Sequence, residues 1–114
     1  MVIYMNSKAS DTPLLCNMDV FTPAEREEHV QSTRRLYQST QSVHEVESGY
    51  EFTFPNESEM IIGLGKFISN ERRCCPFLEF TLKISSNNAP ISLLLTGPEG
   101  TQEFLRAEFT EAFL

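Results

Sequence analysis

Basic side chains are scarce in this sequence. Only 9 Lys plus Arg face 16 Asp plus Glu, a formal net charge of −7. A duplex nucleic-acid binder draws much of its affinity from neutralising phosphates, so this balance argues against that class of partner. Long apolar runs are lacking too. No stretch approaches the ~20 apolar residues of a membrane span, so no membrane association is expected. The opening Met1–Pro13 has no basic region followed by an apolar run, and therefore no recognisable signal peptide. Cysteine occurs three times, at Cys16, Cys74 and Cys75. An odd count in so short a chain does not read as a secreted disulfide framework, and a reducing cytoplasm is the simplest home.

What is present suffices for one domain. Hydrophobic residues make up 40% of the 114, with nine Phe among them, enough for a real core. Residues 1–13 read as a flexible N-terminal leader, and 14–114 as a single α+β domain. Leu14 to Met18 is a short apolar run suited to a first strand. Thr22-Pro23-Ala24-Glu25 is a helix start: Thr22 caps, Pro23 fits the first helical position and Glu25 completes a capping box. That helix runs to about Gln38 with a thin apolar stripe of Val30, Leu36 and Tyr37. It is expected at the surface, with one edge packed.

Val43 to Glu47 and the alternating Tyr50-Glu51-Phe52-Thr53-Phe54 read as a hairpin turned at Ser48-Gly49. Asn56 then caps a central helix whose Met60, Ile61, Leu64, Phe67 and Ile68 form a broad buried face. Pro76 stops it near Cys74 or Cys75. Phe77 to Ile84 and Ile91 to Thr96 are two further strands. A last helix, capped by Thr101, packs Phe104, Leu105, Phe109, Ala112 and Phe113. The expected fold is a mostly antiparallel sheet with helices on one face. Its order is ferredoxin-like, β-α-β-β-α-β, followed by an extra strand and helix.

The run Glu71-Arg72-Arg73-Cys74-Cys75-Pro76-Phe77-Leu78-Glu79-Phe80 resembles a group of small bacterial proteins of unassigned function. The likeness extends to Thr22–Arg26, to Gly49–Pro55 and to Leu95–Leu105. Cys16 falls where those proteins often carry a cysteine. This resemblance spans about residues 14–109 and implies a bacterial, cytoplasmic domain. It implies no particular reaction.

Chemistry centres on the thiols. Adjacent cysteines with a third suit a thiophilic metal ion, because thiolates favour copper(I), zinc and heavier soft cations. Cys74, Cys75 and Cys16 are the candidate ligands, with Glu71, Arg72 and Arg73 beside them. Neighbouring side chains diverge on a helix or strand, so both thiols face one ion only where the chain breaks. Pro76 supplies such a break. A bond between Cys74 and Cys75 is disfavoured, since adjacent Cα atoms lie about 3.8 Å apart, below the ~4.4 Å of ordinary disulfides. Cys16 could pair with either, leaving one thiol free.

Each residue also has an ordinary structural reading. Free cysteine is a small hydrophobe among the most buried residue types, so the pair suits a core. Arg72 and Arg73 would favour a thiolate but equally complement a helix C-terminus, whose dipole opposes one. Glu71 fits a solvated or salt-bridged helix face. His29 and His44 have no metal or catalytic spacing and read as structural or surface residues. No serine nucleophile elbow is present, and Gly97 to Thr101 lacks the lysine of a P-loop. Gly63 and Gly65 are costly inside a helix and suggest close approach of a neighbouring element.

Three functions are expected on these grounds. The first is a small binding or accessory domain for a thiophilic metal ion. The second is a thiol-dependent redox or nucleophilic enzyme with Cys75 as the more exposed thiol. The third is a homodimeric interaction module with purely structural cysteines. Any small-molecule ligand is left unspecified.

Overall fold

A computed structural model of the chain describes Tyr4–Met5 and residues 14–111. Thr22 accepts a hydrogen bond from the Glu25 amide at 3.2 Å, and the Glu25 carboxylate accepts one from the Thr22 amide at 2.9 Å. This reciprocal cap, with Pro23 behind it, starts helix α1, Pro23–Gln38. Hairpin β3 (Ser42–Val46) and β4 (Gly49–Phe54) comes next, then α2 (Ser58–Cys74), β5 (Glu79–Lys83), β6 (Ile91–Thr96) and α3 (Thr101–Glu111). The main sheet has the order β3-β4-β6-β5, with every pair antiparallel.

One face of this sheet is apolar. Tyr50, Phe52, Phe54, Ile91, Leu93 and Leu95 point into the core, where all six are buried. The three helices cover that face. Tyr37 of α1 packs on Phe52 with ring centroids 5.4 Å apart, Phe67 of α2 on Phe80 at 6.5 Å, and Phe109 of α3 on Phe52 at 5.7 Å. The opposite face carries Glu51, Thr53, Ser92, Thr81 and Lys83. Among the described residues, no helix is long and apolar enough to cross a membrane.

The α+β class with helices on one face is as expected, but the first strand does not enter the main sheet. Leu14–Leu15 (β2) instead pairs antiparallel with Tyr4–Met5 (β1), forming a separate two-stranded ribbon. A 3-10 turn over Met18–Val20 ends the segment. The Asn17 amide donates to the Cys74 carbonyl at 2.8 Å, so the N-terminal segment is tied to the end of α2 rather than to a strand edge. The remaining leader residues, and Ala112 and Phe113, expected to pack from the last helix, lie outside the described residues.

Four local expectations change. Thr101 is the first residue of α3 rather than its cap, and its hydroxyl donates to the Pro98 carbonyl at 2.6 Å. Asn56 does not cap α2; its side chain donates to the Ala89 carbonyl at 2.8 Å, and Glu57 stands at the cap without a side-chain bond. The hairpin turns on Glu47 and Ser48, with Ser48 at φ 68°, while Gly49 already belongs to β4. Gly49 is needed because a Cβ there would collide with the Leu95 carbonyl of the neighbouring strand.

Gly63 and Gly65 bring no element close: a Cβ at either position would meet nothing within 4 Å. Both sit on the exposed side of α2. Gly63→Ala and Gly65→Ala should therefore each stabilise the protein by about 0.5–1 kcal/mol in urea unfolding, by removing backbone entropy from the unfolded chain. A loss of stability at either site would show that the glycine serves a contact. Gly49→Ala should do the reverse and destabilise.

Candidate metal centre

The helical phase of the three helices carries polar residues into the core beside apolar ones. On α2, Leu64, Phe67, Glu71 and Cys74 share the buried stripe; on α1, His29, Thr33, Leu36 and Tyr37 do; on α3, Phe104, Leu105 and Glu108 do. These stripes converge where α2 ends. Cys75 caps the helix at φ −123°, ψ 70°, outside the helical region, which lets its side chain leave the path of Cys74.

Cys16 reaches this end from the N-terminal segment and forms a disulfide with Cys75, their Cα atoms 4.7 Å apart. Cys74 remains free. Its Sγ lies 3.7 Å from Cys75 Sγ, and it donates toward the Glu71 carbonyl and Glu71 Oε1, each at 3.5 Å. Glu71 Oε1 is also 2.9 Å from His29 Nε2. Tyr37 donates its hydroxyl to Glu108 Oε1 at 2.7 Å, and Glu108 Oε2 lies 3.8 Å from Cys16 Sγ. Cys16, His29, Glu71, Cys74, Cys75 and Glu108 are all buried.

So the fold brings all three cysteines together. It also corrects several expectations. Glu71 is not on a solvated face but 2% exposed, in the salt-bridged alternative with His29, whose 4% exposure fits a structural histidine. Cys75 is not the exposed thiol; it is fully buried and already bonded. Arg72 and Arg73 stay outside, and Arg73 donates to the Val20 carbonyl at 2.9 Å with its guanidinium over the Phe21 ring. Glu108 and Tyr37 complete the cluster, and neither stands out as a candidate in the sequence. The signal for Glu108 was its place three and four residues beyond Leu105 and Phe104, on the apolar stripe.

Burial sets the electrostatics. It pushes the Cys74 thiol far above its ordinary value, and the Glu71 carboxylate beside it adds to the effect. It raises both carboxyls as well; Glu108 is raised further by the charge of Glu71. Burial lowers His29, holding its imidazole neutral, which is the metal-ligand form. Glu71 Oε2, Thr33 Oγ1 and His29 Nδ1 are buried without a hydrogen-bond partner. A cavity of about 30 Å³, large enough for one water, is lined by His29, Thr33, Tyr37, Glu71 and Glu108 together with Cys16.

Ligand atoms of Cys16, Cys74 and Cys75 lie within 4.8 Å of one another, as do those of His29, Glu71 and Cys74, so the cluster could hold a metal ion. No protein family matches this chain, and no curated protein or solved structure is significantly similar to it.

Proposed function

We propose that the protein is a small cytoplasmic binding domain for a thiophilic metal ion, held by Cys16, Cys74 and Cys75 in their reduced state. The observation that carries this reading is the convergence of three sulfurs on one buried point. The 3.7 Å between Cys74 and Cys75 Sγ is close to the ~3.8 Å edge of a tetrahedral thiolate site with metal–sulfur bonds near 2.3 Å. In a reducing compartment the Cys16–Cys75 bond opens and offers two more thiolates at the same place. A bound cation displaces the thiol protons, so the raised Cys74 value shields the free thiol without barring the metal.

The thiol-enzyme reading has less support. A nucleophilic thiol needs an exposed, low-pKa sulfur, whereas Cys74 is buried and held protonated. The test is native mass spectrometry of the reduced protein with one equivalent of mercury(II). One retained ion with loss of all three alkylatable thiols is expected. Replacing any one cysteine by Ser should weaken retention, because one of the three sulfur ligands is lost. Three thiols still reactive in the presence of mercury(II) would remove the proposal.

A further inference from the structure

Cys74 belongs to two donor sets, and only one of them needs the disulfide to open. On its other side stand His29 Nε2 and Glu71 Oε1. The three edges of this triangle are 2.9 Å from His29 Nε2 to Glu71 Oε1, 3.5 Å from Glu71 Oε1 to Cys74 Sγ, and 3.9 Å from Cys74 Sγ to His29 Nε2. Tetrahedral ligands at ordinary zinc–nitrogen, zinc–oxygen and zinc–sulfur distances are separated by about 3.3–3.6 Å. The observed triangle departs from that by roughly half an ångström or less on each edge, so side-chain adjustments of that size would close it on an ion.

We propose that His29, Glu71 and Cys74 form a second metal site, which takes a borderline divalent cation of the zinc type while the Cys16–Cys75 bond is closed. This deepens the reading above. The redox state of one disulfide sets the donors: three sulfurs when it is open, and a nitrogen–oxygen–sulfur set when it is shut.

Three independent observations support it. The donor types are those of mixed zinc sites, one imidazole, one carboxylate and one thiolate. Once a cation has displaced the acidic protons, the thiolate, the carboxylate and the neutral imidazole together carry −2, which a dication balances. Two of the three donor residues, His29 and Glu71, line the cavity that holds room for one water. A water there would supply the fourth ligand of an open, four-coordinate site. Glu108, which also lines the cavity, is engaged by the Tyr37 hydroxyl and is not one of the three donors.

Cobalt(II) is the probe, because it reports geometry and thiolate ligation by absorption. Protein with the disulfide closed is first verified by a single alkylation after unfolding, then titrated with cobalt(II) near neutral pH. The expected result is uptake of one ion, with visible bands of a four-coordinate site and a charge-transfer band of one thiolate. On reduction that charge-transfer intensity should rise about threefold as Cys16 and Cys75 join. His29→Gln and Glu71→Gln, each checked for native circular dichroism, should abolish cobalt(II) uptake by the closed form. Both should leave mercury(II) retention by the reduced form within about threefold of wild type, since no sulfur is lost. Uptake without a thiolate band, no uptake by the closed wild-type protein, or unchanged uptake in a folded variant would overturn the second site. Failure of mercury(II) binding in the reduced protein, with cobalt(II) still bound by the closed one, would overturn only the trithiolate reading.

Discussion

Opening the Cys16–Cys75 bond should lower the unfolding free energy of the metal-free protein by about 4 kcal/mol. The bond closes a loop with a sequence separation of 59, and the chain entropy it removes from the unfolded state scales with the logarithm of that length. Against a total of roughly 5–15 kcal/mol for a domain, the reduced form is left folded but marginal, with its melting temperature down by roughly 15–20 °C. Denaturant unfolding of Cys74→Ala protein with and without reductant measures this, because removing the free thiol prevents disulfide exchange. A difference under about 1 kcal/mol would mean that the unfolded chain is already compact around this loop. Mercury(II) added to reduced wild-type protein should recover most of the loss, since one ion on three sulfurs restores the same cross-link.

The second large effect is on pH dependence. Glu108 is fully buried and titrates well above an ordinary carboxyl, chiefly through desolvation and then through Glu71. Its proton is bound in the folded protein and lost in the unfolded chain between about pH 4.3 and the raised native value. The stabilisation this proton provides is complete below about pH 4.3 and disappears as pH rises through the native value. Over that window each such carboxyl lowers stability by up to about 1.4 kcal/mol per pH unit. Glu108→Gln keeps an acceptor for the Tyr37 hydroxyl and removes the titration. Urea unfolding of the disulfide-closed, metal-free protein from about pH 5 to pH 8 should show a falling line for wild type and a flatter one for the variant. Parallel lines would place the titration elsewhere.

The parts of this fold that rest on neighbouring residues could be read from sequence. The Thr22–Glu25 cap, the alternation of β4 and the stop of α2 before Pro76 each depend on a few consecutive side chains. The candidate site was legible only in part. The three cysteines were identifiable by type, but which of them pair is decided by how the N-terminal segment meets the end of α2, a contact between residues 59 positions apart. Glu71 and Glu108 are of a type whose ordinary habit favours solvent, and His29 is of a type with intermediate burial. Helical phase pointed the other way. Glu71 lies four residues beyond Phe67, and His29 four before Thr33 and seven before Leu36, all of them on buried stripes. A polar residue in phase with the apolar stripe was the available signal, and three helices showed it at once.

The disulfide also divides the chain mechanically. It rings α1, the hairpin and α2, whereas β5, β6 and α3 lie outside the ring. Yet β6 is hydrogen-bonded to β4 of the ring. Pulled between residues 14 and 111, the oxidised protein can surrender only the few residues before Cys16 and the chain beyond Cys75, because the force bypasses the ring through the sulfur–sulfur bond. The hidden chain amounts to about 200 Å of contour length. Reduction would release it as extra extension, so a single-molecule pull would read the state of that bond as a difference in length.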